Sequence, residues 1–169
     1  MPQVILRPNG NGVTTTFDAF GQATQWECVN EVVANEDTDY IYDINSAHGF
    51  FTLTDRGIGE GVINSVTVYG RFKHITTIGN FRLRLYNDGS YGSTGNIATT
   101  GSYVTHSNNF GALSLKTSLP WTWAEIDSLQ GGVTLLPVAG EYRCTQTYVV
   151  VDFTPTPPAA GRCRGFIFG

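Results

Sequence analysis

Apolar and polar residues alternate with a period of two through much of this chain, which is the signature of half-buried β-strands. Residues 81–86 show it most cleanly: Phe81, Leu83 and Leu85 point one way and Arg82, Arg84 and Tyr86 the other. Residues 63–72 repeat the pattern, with Val66, Val68 and Phe72 opposite Thr67, Tyr69 and Arg71. Strands with one apolar and one wet face belong to antiparallel sheets. The segment 141–153 is longer and differs in kind. Thr145, Thr147, Val149, Val151 and Phe153 fall on one face and Cys144, Gln146, Tyr148 and Val150 on the other. Its second half is apolar on both sides, which predicts a strand in the middle of a sheet.

Shorter strands are expected at 3–7, 13–17, 25–33, 40–44, 48–53, 97–106, 112–116 and 133–138. Turns separate them at 8–12, around Gly57, Gly59 and Gly61, and at 87–90. The stretch 97–106 is polar and Thr-rich and reads as an edge strand. One helix is expected. Thr122 and Glu125 form a capping box, Trp123, Ile126 and Leu129 follow at helical spacing, and Gly131-Gly132 ends it. About ten short strands and one helix give an all-β, jelly-roll-like antiparallel sandwich spanning residues 1–153. The run Thr154-Pro155-Thr156-Pro157-Pro158 then makes a stiff linker, and residues 154–169 read as linker plus arm.

Composition sharpens this picture. Charged residues are 14% of the chain, against roughly 25% in ordinary globular domains. A surface so poor in charge suits a protein that packs against neighbours. The net charge of −4, without a basic stripe, argues against nucleic-acid binding. No apolar run reaches membrane-spanning length, and no basic-then-apolar leader opens the chain, so no membrane association is expected and synthesis in a cytoplasm is. Cys28, Cys144 and Cys163 fit no zinc spacing, and buried free thiols are favoured over a Cys28–Cys144 disulfide.

Catalytic chemistry is not visible. His48, His74 and His106 lie in separate segments, no G-x-S-x-G turn is present, and Glu27 and Glu31 are too far apart on one strand to cooperate. Glu36, Asp37, Asp39 and Asp43 offer only a loose calcium-like spacing, better read as a solvated acidic loop. No enzyme, cofactor or metal is therefore expected. Trp121, Trp123, Tyr91 and Tyr103 are candidates for a sugar-stacking platform, with lid packing the plainer reading of the two tryptophans.

Several motifs resemble structural modules of tailed-phage virions: Leu6-Arg7-Pro8-Asn9-Gly10, Ile63-Asn64-Ser65-Val66-Thr67-Val68-Tyr69, Trp121-Thr122-Trp123-Ala124-Glu125-Ile126 and the strand from Thr145 to Pro155. The resemblance implies a place in a particle and no reaction. With the charge-poor surface it leads to the expectation of a capsid decoration protein on the outer surface of the virion. Such a protein would bind across major capsid protein subunits as a homo-oligomer, with a trimer favoured. The arm, through Arg162, Arg164, Phe166, Ile167 and Phe168, and the first strand, through Val4 and Leu6, would make the contacts. A carbohydrate-binding or receptor-recognition module of a tail fibre is the alternative, and a tail or connector protein a third.

Overall fold

The computed structural model describes residues 2–56 and 60–157. Two antiparallel sheets face each other, as the strand pattern predicts. The first sheet is centred on β12 (Tyr142–Pro155), which pairs along its whole length with β6 (Gly61–His74). β10 (Val104–Asn109) lies outside β6 at the edge, as its polar sequence implies. The other side of β12 is shared: β4 (Tyr40–Asp43) takes its beginning and β1 (Gln3–Leu6) its end, with β3 (Asp18–Phe20) beyond β4. The second sheet runs β2 (Pro8–Thr15), β5 (Ala47–Leu53), β11 (Gln130–Leu136), β7 (Asn80–Asn87), and the far edge of β7 carries both β8 (Ser90–Ser93) and β9 (Ile97–Ala98).

The core fills the space between the sheets. Val66, Val68, Phe72, Val149 and Val151 meet Phe51, Phe81, Leu83, Leu85, Val133 and Leu135, and every one is at most 1% exposed. Phe72 and Phe81 stack across the interface with ring centroids 3.8 Å apart. Burying such side chains contributes about 1.5–3 kcal/mol each, enough to fix which face of every strand turns inward. One departure from strict alternation lies in β12. Its register against β6 slips between Cys144 and Gln146, a bulge that turns Cys144 to the same core as Val149, Val151 and Phe153. Cys28 and Cys144 are both buried free thiols.

Three expected strands take other forms. Residues 25–33 are a plug of turns: Cys28 and Val29 donate to the carbonyls of Gln25 and Trp26, and the Glu27 carboxylate accepts from the backbone and hydroxyl of Thr24. The apolar Cys28 and Val29 are buried there as a knot. Residues 112–116 form part of a tight loop joined at its base by a bridge between Leu113 and Pro120. The stretch 97–106 divides into β9 and the start of β10, and between them Thr99 bonds the Gly79 carbonyl through both its backbone N–H and its hydroxyl. Conversely, the Gly-rich segment from Pro8 is already part of β2, with an irregular register against β5.

The helix α1 (Trp123–Asp127) starts as expected. Thr122 accepts from the Glu125 backbone, and Glu125 reaches back to the Thr122 backbone. It closes one end of the sandwich through Ile126, with Leu129 just beyond it.

Candidate functional site

Polar groups collect in two places. The first is the outer face and upper rim of the first sheet. The acidic loop folds over this rim, where Asp37 receives Lys73 at 2.5 Å and Arg143 at 2.7 Å, and Glu36 receives Arg71. The hydrogen bond from Lys73, joined by that from Arg143, holds the Asp37 carboxyl below its ordinary value. Tyr103 donates to the Glu36 carbonyl, and lower on the same face Tyr69 and Tyr148 stack in parallel with centroids 4.8 Å apart. Arg7 lies 5.0 Å over the Tyr148 ring. Asp39, 1% exposed, accepts from Gln22 and Asn35, and its carboxyl interacts directly with that of Glu31. Burial, reinforced by Asp39, pushes Glu31 up to about 7. Glu31 Oε2 and Asp39 Oδ1 are buried with no hydrogen-bond partner among the described residues. The loop carboxylates Glu36 and Asp37 are thus engaged by cations of the sheet. Among the described residues no group of three or more His, Cys, Asp and Glu side chains is arranged to hold a metal ion.

The second place is a cleft at the end of the sandwich closed by α1. Its walls come from the end of β7, the loop after β10, the helix and the start of β11. The β7–β8 hairpin turns through Asp88 and Gly89, with φ of 40° and 88°, the two positive values that a tight two-residue hairpin requires. This turn leaves Asn87 as the last core-facing position of β7, beyond Leu85 and opposite the helix. Tyr86 faces outward beside it and is paired across the ladder with Tyr91. The Arg84 guanidinium lies 5.1 Å over the Tyr91 ring and 4.6 Å over that of Phe50.

The cleft has a volume of about 450 Å³ and is lined by Tyr86, Asn87, Asp88, Lys116, Glu125 and Gln130 among others. Most of these groups are held in place. Glu125 accepts from Ser114 Oγ at 2.5 Å and from the Thr122 backbone and hydroxyl at 2.9 and 2.8 Å. Burial pushes its carboxyl up, and these hydrogen bonds outweigh that effect, leaving it below its ordinary value. Ser114 also accepts from the Lys116 backbone, so the loop and the helix are tied through one hydroxyl. Lys116 pairs with Asp88, and Gln130 accepts from the Val13 backbone. Gly12 lets β2 come this close, since a Cβ there would lie 2.1 Å from Gln130 Oε1.

Asn87 stands apart. It is 1% exposed, yet neither Nδ2 nor Oδ1 has a hydrogen-bond partner among the described residues. Burying an amide in this way costs about 1–3 kcal/mol. Asn87 also lines the cleft, so its unused donor and acceptor lie covered at the cleft wall.

The structure separates the residues expected from sequence. Tyr91 is exposed and pairs across the ladder with Tyr86, which lines the cleft. Trp121 and Tyr103 are buried, and Trp123 packs edge-on against Phe153 while donating to the Gly61 carbonyl, so these three are structural. Val4 and Leu6 are 8% and 1% exposed, because alternation along β1 turns them into the core; Ile5, half exposed, is the outward residue of that strand. Arg162, Arg164, Phe166, Ile167 and Phe168 lie outside the described residues. Sequence reasoning passed over Asn87, Lys116 and Gln130. Only the Asn-Asp-Gly turn signal stood near them, and it marks a hairpin and says nothing of a neighbouring helix.

No family model matches the sequence, and no curated protein matches it. Among solved structures, the chain is similar to the CBM22-1 xylan-binding domain from Paenibacillus barcinonensis Xyn10C, with 8% identity, TM-score 0.47, and coverage of 90% of this chain and 94% of that one. It is similar also to a family 29 carbohydrate-binding module complexed with mannohexaose, with 13% identity, TM-score 0.43, and coverage of 89% and 91%. A third is TmCBM61 in complex with β-1,4-galactotriose, with 13% identity, TM-score 0.40, and coverage of 79% and 86%. At these levels the likeness concerns the sandwich fold.

Proposed function

We propose that this chain is a non-catalytic carbohydrate-binding module whose ligand enters the cleft at Asn87. The observation that carries this reading is the buried side-chain amide with both its donor and its acceptor unused. Neighbouring sugar hydroxyls each donate and accept, so an amide's paired N–H and C=O matches two of them at once. Tyr86 at the cleft and exposed Tyr91 beside it supply ring faces for the C–H side of a sugar, and Lys116, Glu125 and Gln130 supply further polar contacts. The locked Glu125 and the tight turn at Asp88 pre-set the walls, which lowers the ordering cost of binding. A virion decoration role would rest on the arm beyond residue 157 and on Val4 and Leu6. The first lies outside the described residues and the second pair is core, so the cleft supports the glycan reading better.

The test is affinity electrophoresis of the protein through gels containing neutral glucan, mannan, xylan or galactan. Retardation by at least one polysaccharide, abolished in Asn87→Leu with the fold intact by circular dichroism, is the expected result. Equal mobility of wild type and variant in every gel would overturn the assignment.

A further inference from the structure

The cleft at Asn87 does not end at Lys116 and Glu125. A second depression of about 500 Å³ begins on the other side of the same two residues and is lined by Thr117, Leu119, Pro120 and Thr122. Lys116 and Glu125 belong to both walls. The two depressions therefore adjoin at Lys116 and Glu125.

Their chemistry differs. The first holds the unused amide of Asn87 and the ring of Tyr86. The second is walled by exposed Leu119 and by Pro120, with the Thr117 and Thr122 side chains at its margin. Its loop is built to hold one shape. Ser114 N–H donates to the Leu119 carbonyl at 2.8 Å, Ser118 N–H donates to the Ser114 carbonyl at 2.9 Å, and Ser118 takes a positive φ of 58°. A non-glycine residue in that conformation persists only where its surroundings over-determine it. Leu119, 64% exposed, is thereby presented on a rigid loop.

We infer that the two depressions together take a neutral glycan chain of at least two sugar units, one on each side of the Lys116–Glu125 boundary, in preference to a single sugar or an acidic chain. This inference rests on the glycan-binding reading of the Asn87 cleft and extends it. Each depression is in the lower half of the roughly 300–1,000 Å³ range of small-molecule sites, so neither has room to spare for an extended chain, and together they do. The C–H faces of a second unit suit Leu119 and Pro120. Neutrality follows from that boundary. Lys116 is already paired with Asp88, and Glu125 is held ionised by Ser114 and Thr122, so an incoming carboxylate or sulfate meets a committed cation and a fixed anion.

The experiment is calorimetric titration with β-linked glucose, mannose, galactose and xylose series, each from the monosaccharide to the pentasaccharide, together with one uronic-acid series. The expected result is an affinity gain of about tenfold or more between the monosaccharide and the trisaccharide of a neutral series. Leu119→Asp should remove that gain, so that monosaccharide and trisaccharide bind alike, and its exposed position keeps folding out of the comparison. Affinity independent of length, a gain that survives Leu119→Asp, or stronger binding of the uronic-acid series would overturn the inference and leave the Asn87 site standing. Absence of binding in every series would remove both.

Discussion

The rim at Asp37 and the cleft at Asn87 are built from similar material and behave differently. At the rim, acidic side chains from one loop meet Lys73, Arg71 and Arg143 from two neighbouring strands, and tyrosines pack beside them. The Glu36 and Asp37 charges there are answered by these cations. In the cleft, Glu125 and Lys116 are answered too, but a fully buried amide between them is not. A satisfied polar cluster stabilises a fold, whereas one left with an unused donor and acceptor costs stability until something binds. The difference separates a structural network from the proposed binding site more sharply than residue type does.

Breaking the rim should give the largest effect on stability. Asp37→Ala leaves Lys73 and Arg143, whose side chains are only 13% and 17% exposed, without their shared carboxylate. Because Asp37 itself is largely exposed, screening reduces the loss to about 2 kcal/mol. Chemical denaturation should show it, and glycan affinity should be unchanged. The opposite result is expected in the cleft. Asn87→Leu removes the unpaired amide at similar volume and should stabilise the protein by about 1 kcal/mol while abolishing binding.

A third test uses pH. Glu31 has its carboxyl raised from 4.5 to about 7, so its proton is held more tightly in the folded state. The stability it contributes is fully present below about pH 4.5 and is lost as pH rises through about 7. Glu31 is only half buried, so the loss is about 1 kcal/mol or less, or a Tm decline of about 2–4 °C between pH 5 and 8. Glu31→Gln keeps a donor for Asp39 without a titrating proton and should flatten that decline in a thermal melt. Smallest is Tyr91→Ala. Its ring is 65% exposed, so stability should stay within about 0.5 kcal/mol while glycan affinity falls about threefold.

Much of the sandwich was legible because alternation reports burial directly. Residues 81–86 and 63–72 form strands with the expected faces inward. Two things escaped. A bulge after Cys144 has no marker in the residues themselves, so strict alternation assigns Cys144 to the wrong face. In both Thr24-x-x-Glu27 and Thr122-x-x-Glu125 the carboxylate accepts from the threonine backbone and hydroxyl, but only the second was read as a cap, because the apolar spacing after Thr24 imitates a strand. The site was less legible than the fold. Tyr91 stands out as an aromatic on a polar strand, but Asn87 looks like any turn residue. What singles it out is its burial in a cleft shared with α1 and its lack of a partner among the described residues, both of which depend on elements distant in sequence.

The most direct test of the central claim follows the Asn87 side-chain amide itself. In a two-dimensional nitrogen–proton spectrum of labelled protein, titration with the neutral polysaccharide fragment that retards it most should shift the Asn87 side-chain NH2 pair, with the backbone signals of Tyr86, Lys116 and Gln130. Signals of the Asp37 rim, including Lys73 and Arg143, should stay in place. A response centred on Tyr69 and Tyr148 with Asn87 unmoved would contradict the account.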